Sequence, residues 1–157
     1  MTSGYISDPY AGLTGDFMQG LARFQNGEYA TALEFFEKAE EFPGTDDNKF
    51  TCLSFVGLTR IILGDPEGIK QCRTAAHFEH YDADVYYNLA VAELKVRNRR
   101  RAVDAIRAGL VIEREHRGLN KLRRKIGQRR TPVLRFLSRD HALNKMLGRL
   151  TYRLAHR

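Results

Sequence analysis

Apolar residues recur along the chain at three- and four-residue spacing, in short blocks separated by glycine, proline and aspartate. Phe17, Met18, Leu21, Ala22 and Phe24 predict a helix over about Gly15 to Gln25. Asn26-Gly27 breaks it, and glycine there suits a left-handed cap. Tyr29, Ala32, Leu33, Phe36 and Ala39 predict a second helix, ending at Pro43-Gly44. Asp46-Asp47 offer caps for a third, which carries Leu53, Phe55, Val56, Leu58, Ile61 and Ile62. Gly64-Asp65-Pro66 closes it as a turn. Ile69, Cys72, Ala75 and Ala76 mark the fourth helix. The fifth starts after Asp82 or Asp84 and carries Tyr86, Leu89, Ala90, Val91 and Leu94. The sixth carries Ala102, Val103, Ala105, Ile106 and Leu110.

These helices fall into pairs that repeat. Gly20, Gly57 and Ala90 occupy one recurring small position, and Ala32, Gly68 and Ala102 another. Small residues are needed where two helices cross closely. A period near 34 residues with this pattern predicts a helix–turn–helix solenoid. The three units resemble tetratricopeptide repeats. The third is the clearest, with Tyr86, Leu89, Ala90, Ala102, Ile106 and Gly109 on the family's signature positions. The first matches at Gly20, Tyr29, Ala32, Phe36 and Ala39, and departs at Asp16 and Gln19. The second matches at Leu53, Val56, Gly57, Gly68, Cys72 and Ala75, with its turn one residue short.

The expected fold is therefore all-α: three tetratricopeptide-like repeats, a capping helix and a basic amphipathic C-terminal helix. Residues 1–12 form a lead-in, 13–115 the repeats and 116–157 the extension. His116 to Ile126 reads as the cap, with Leu119, Leu122 and Ile126 on its apolar side. Thr131-Pro132 can start a further turn. The last helix carries Leu143, Met146, Leu147, Leu150 and Leu154 in one stripe, with Lys145, Arg149 and Arg153 beside it.

The resemblance implies a concave groove lined by the first helix of each pair. Phe17, Leu21, Phe24, Leu58, Ile61, Tyr87 and Val91 would line it, with Asn88 and Lys95 as its polar groups. Such a groove suits an amphipathic helix or an extended peptide. Core packing, or cover by the chain's own C-terminus, would also explain the same residues. Family members that hold acidic chaperone tails use a clamp of Lys, Asn and Arg. Here Phe17, Leu21, Phe55 and Asp84 stand at those places and only Asn88 could serve, so that mode is not expected.

Charge changes the picture. Residues 1–94 carry 15 acids against 6 bases, and residues 95–157 carry 4 acids against 20 bases, mostly arginine. Arginine favours planar, bidentate contact with carboxylate or phosphate. Arg123, Arg124, Lys125, Arg129, Arg130, Lys145, Arg149 and Arg153 form a second candidate contact. Its open partners are an acidic protein, the acidic repeats of another copy, an anionic membrane surface or nucleic acid bound without sequence readout.

Chemistry adds little. His77 and His80 lie three apart without further metal-ligand spacing, and neither Cys52 nor Cys72 sits in a Cys-x-x-Cys pair. There is no phosphate-binding glycine loop and no nucleophile elbow. The expectation is a non-enzyme without metal or cofactor: an adaptor or scaffold for a protein partner. An anion-binding module and a small secretion-type chaperone are the alternatives. Two cysteines fit a reducing compartment, most simply the cytoplasm, with peripheral membrane attachment open. No secretory signal is visible in Met1 to Tyr10, and no apolar run reaches the roughly 18 residues of a membrane span.

Overall fold

The computed structural model describes residues 13–43 and 48–126. Among them the fold is all-α, with seven helices and no strand. The expected last helix, and Arg129, Arg130, Lys145, Arg149 and Arg153 with it, lie outside the described residues.

The helices are α1 (Gly15–Gln25), α2 (Tyr29–Glu41), α3 (Lys49–Leu63), α4 (Gly68–Phe78), α5 (Ala83–Lys95), α6 (Arg99–Ile112) and α7 (Arg117–Ile126). Local chemistry sets their ends. The Thr14 side chain accepts from the Phe17 N–H at 3.4 Å and caps α1. Asp82 accepts from the Asp84 N–H at 2.8 Å and caps α5, which decides between the two aspartates the sequence offered. The residue that opens α3 is Asn48, without a side-chain capping bond. Asp46 and Asp47 lie outside the described residues. The His116 Nδ1 accepts from the Leu119 N–H at 3.1 Å at the start of α7, while its Nε2 lies 2.9 Å from Asp84 Oδ1.

Each turn inside a pair passes through positive φ. Gly27 takes +82° and Gly64 takes +97°. The third pair places Arg97 there, at +61°, where a side chain costs energy and glycine does not.

Packing follows the small residues. A Cβ on Gly57 would lie 2.6 Å from the Gly68 carbonyl oxygen and 2.8 Å from the Cys72 amide nitrogen, so α3 and α4 touch backbone to backbone. A Cβ on Gly20 would lie 2.7 Å from the Phe36 ring, which joins α1 to α2. In the third pair, Ala90 and Ala102 are fully buried. Besides the pair partners, α2 meets α3, α3 meets α5 and α4 meets α5. The contacts group α7, up to Lys125, with the helices before it.

Two clusters form much of the core. Phe17, Ala32, Phe36, Ala39, Cys52, Phe55 and Val56 make the first, held by ring contacts of 5.5 Å between Phe17 and Phe36 and 5.2 Å between Phe17 and Phe55. Each such ring contributes about 1.5–3 kcal/mol by burial alone. Leu58, Ile61, Cys72 and Ala92 make the second. Both cysteines are buried and free, and burial pushes their thiols up to about 12.

Candidate interaction surface

The residues expected to line a groove divide by depth. Phe17, Leu58 and Ile61 are buried core residues and present no surface. Asn88 is also a correction: only 1% exposed, it donates from Nδ2 to Ser54 Oγ at 3.0 Å, and Ser54 donates to the Thr51 carbonyl at 2.8 Å. Its amide ties α5 to α3 inside the protein rather than facing a ligand. The physical reason is that helical spacing fixes the direction of a side chain but not how deep it lies. Neighbouring helices of successive pairs cover these four.

Leu21, Phe24, Tyr87 and Val91 are half-buried, and Lys95 is exposed. Leu21 packs against the first cluster and Val91 against the second, and Phe24 packs against both. Its ring meets Tyr29 edge-on at 5.2 Å and Phe55 at 6.2 Å. Apolar side chains from the first and third pairs thus share one buried cluster to which the second pair contributes Leu58, Ile61 and Cys72. Tyr87 lies at the α7 end, 5.8 Å from the His116 ring and against Gly118, where a Cβ would come within 2.7 Å of it.

A second feature was not legible beforehand. A recess of about 400 Å³ lies among α4, α5 and α6, lined by Arg73, His77, Tyr86, Glu93, Arg101 and Asp104 among others. At its base the Glu93 carboxylate is 1% exposed and takes two hydrogen bonds from the Arg73 guanidinium, at 2.8 and 3.1 Å. Those bonds raise Arg73 above its ordinary value. The Tyr86 hydroxyl donates toward the Glu79 carbonyl at 3.0 Å, and burial raises that phenol. Glu93 is satisfied and neutralised by its partner, so the recess holds no free buried charge. An acid on the packed side of α5 opposite an arginine 20 residues earlier was the available signal.

A third feature is an aromatic edge. Phe50 stacks on Phe78 with centroids 5.1 Å apart, and Phe42, Phe78 and Tyr81 are exposed.

Of the basic contact, Arg123, Arg124 and Lys125 lie on α7 and are exposed. No group of three or more His, Cys, Asp or Glu side chains able to hold a metal occurs among the described residues. No helix among them is long and apolar enough to cross a membrane. The chain matches no protein-family model and no curated protein.

Proposed function

We propose that this chain is a non-catalytic protein-interaction module, built as a stack of tetratricopeptide-like helix pairs. Its recognition face is the half-buried apolar row of Leu21, Phe24, Val91 and Tyr87, bordered by Lys95. The occupant is a helix or an extended peptide that covers this row. One observation carries the reading: Phe24 and Val91, from the first and third pairs, pack against one buried cluster while keeping part of their surface in water. A row anchored in this way is rigid, and rigidity lowers the entropic cost of binding.

The test is partner capture from source lysate, read by mass spectrometry, with the full chain. Leu21→Glu with Tyr87→Ala should abolish capture and leave the far-ultraviolet helical signal intact. Tyr87 also packs on Gly118, so Leu21→Glu with Val91→Asp serves as a second variant. Undiminished capture by both variants rejects the row as the recognition face.

A further inference from the structure

The described part of the chain treats its basic residues in two ways. Before residue 95 they are few and mostly used internally. Arg23 pairs with Glu28, Arg60 with Glu37, Lys70 with Glu67 and Arg73 with Glu93. After residue 95 they are many, and most are exposed without an ion-pair partner. Arg97, Arg100, Arg101, Arg114, Arg117, Lys121, Arg123, Arg124 and Lys125 are all exposed, and none has an ion-pair partner among the described residues. Arg107 reaches Asp104 only at 3.9 Å.

Two of these placements work against the fold's own stability. Arg100 and Arg101 stand in the first turn of α6, where the helix dipole disfavours cations, and no acid accompanies them there. Arg97 holds a left-handed backbone where the first two pairs have glycine. An external anion would offset both costs.

We infer that the exposed basic side chains of α6 and α7, with the turn that precedes α6, bind the phosphate backbone of duplex nucleic acid without reading its sequence. The inference goes beyond the peptide-binding row and uses none of its residues. Three observations select this anion. The cations are mainly arginines, which match phosphate oxygens in pairs. From Arg97 to Lys125 there is no Phe, Tyr or Trp, so this stretch has no row of aromatic side chains for successive unpaired bases, which favours a duplex over a single strand. On the apolar side of α7, Leu119 is buried against Gly109 and Leu122 is half-buried. That leaves α7, up to Lys125, no fully exposed apolar side chain to insert into a bilayer. The exposed Val111 and Ile112 stand beside Glu113 and Glu115, which anionic lipid would repel. Backbone phosphates ask only for spaced cations, and base contacts would be needed for sequence readout.

The experiment is anisotropy of a labelled mixed-sequence DNA duplex, titrated with the full chain over a salt series. Two variants of equal net charge are compared. One replaces Arg100, Arg101, Lys121, Arg123 and Arg124 by Gln. The other replaces Arg129, Arg130, Lys145, Arg149 and Arg153 by Gln. The first should lose at least about tenfold in affinity at about 0.1 M salt and flatten the log–log salt slope by about 4. The second should keep the greater part of both. Arg97→Gly is an independent probe, since it relieves the backbone and should fold at least as well; it should flatten the slope by about 1. Equal losses in the two five-site variants would overturn the inference, because only total charge would then matter. So would binding to phosphatidylserine vesicles without binding to duplex. Displacement of the duplex by polyglutamate of equal charge would overturn it in favour of an acidic protein.

Discussion

The Arg73–Glu93 pair gives the sharpest test of how the second helix pair is fastened to the third. Glu93 on α5 is 1% exposed, whereas the Arg73 side chain on α4 is 39% exposed. The two ends of the pair should therefore respond unequally. Arg73→Met keeps most of the alkyl stem and removes the charge. It strands a carboxylate that water cannot reach, at a cost of about 3 kcal/mol, the lower end for a buried pair because the guanidinium is partly wet. For a chain of this length that is a drop in melting temperature of about 6–12 °C. Glu93→Leu removes the buried charge and leaves an arginine free to turn into solvent. Only the net value of the lost hydrogen bonds goes with it, about 1 kcal/mol. The double variant should return to within about 1 kcal/mol of the parent, since no buried charge is left unpaired. Urea unfolding at neutral pH, followed by helical circular dichroism, supplies all three numbers. If Glu93→Leu costs as much as Arg73→Met, or the double variant costs the sum of the singles, burial of Glu93 is not what sets the energetics and the reasoning fails.

Other outcomes follow from single contacts. Gly57→Ala places a methyl group against the Gly68 carbonyl and the Cys72 amide, backbone atoms that cannot swing aside, and should cost about 1–3 kcal/mol in the same urea assay. Arg97→Gly should gain about 0.5–1 kcal/mol by removing a side chain from left-handed backbone, less the entropy glycine brings to the unfolded chain. Cys52 and Cys72, with thiols pushed up to about 12 by burial, should resist a disulfide reagent at mildly alkaline pH and react in full once urea unfolds the chain. Burial raises the Asp82 carboxyl above its ordinary value, against the hydrogen bonds from Thr51 and the Asp84 amide. The folded chain then holds that proton at a pH where the unfolded chain has released it. Its contribution to stability is present at acid pH and lost as pH climbs through the raised value. Asp82→Asn should remove that acid-side gain, read as a smaller difference between unfolding midpoints at acid and neutral pH.

The helices were legible because their signals are local. Apolar spacing, Gly27, Gly64 and the Asp82 cap each act within a few residues, and the ends of α1 and α3 fall where these signals put them. The crossing points were legible for a related reason. A small residue that recurs once per pair has few uses other than close approach, and Gly20, Gly57 and Gly68 are each in such contact. The surface was less legible, because depth is set by neighbours distant in sequence. Phe17 carries the same periodic signature as Leu21, yet the rings of Phe36 and Phe55 enclose it while Leu21 stays half-buried. By sequence Asn88 reads, with Lys95, as a polar group of a groove. Its amide is instead used up on Ser54, 34 residues earlier and close to one repeat away. That spacing was visible in the sequence and could have suggested a polar link between successive pairs.

The two proposed surfaces differ in the same way. An apolar row tells little about its partner from sequence, because the same side chains serve a core and a recognition face. Leu58 is buried and Val91 half-buried within one cluster. Cations are different. Burying an unpaired arginine is too costly for a fold to do, so a run such as Arg97–Arg101 has to emerge at the surface or be matched by acids. Here the matching acids are scarce: Asp104, Glu113 and Glu115 stand against the many bases of α6 and α7. Of these acids only Asp104 makes an ion pair with them at 4 Å or less, on Arg107. Arg97→Gly separates the reading of an open basic face from the simpler one of a merely solvated surface. A solvated arginine gains nothing from a strained turn, so its removal should stabilise the chain and leave every binding property unchanged. If it serves an anion, the same substitution should stabilise the chain and weaken duplex binding together, with a flatter salt slope.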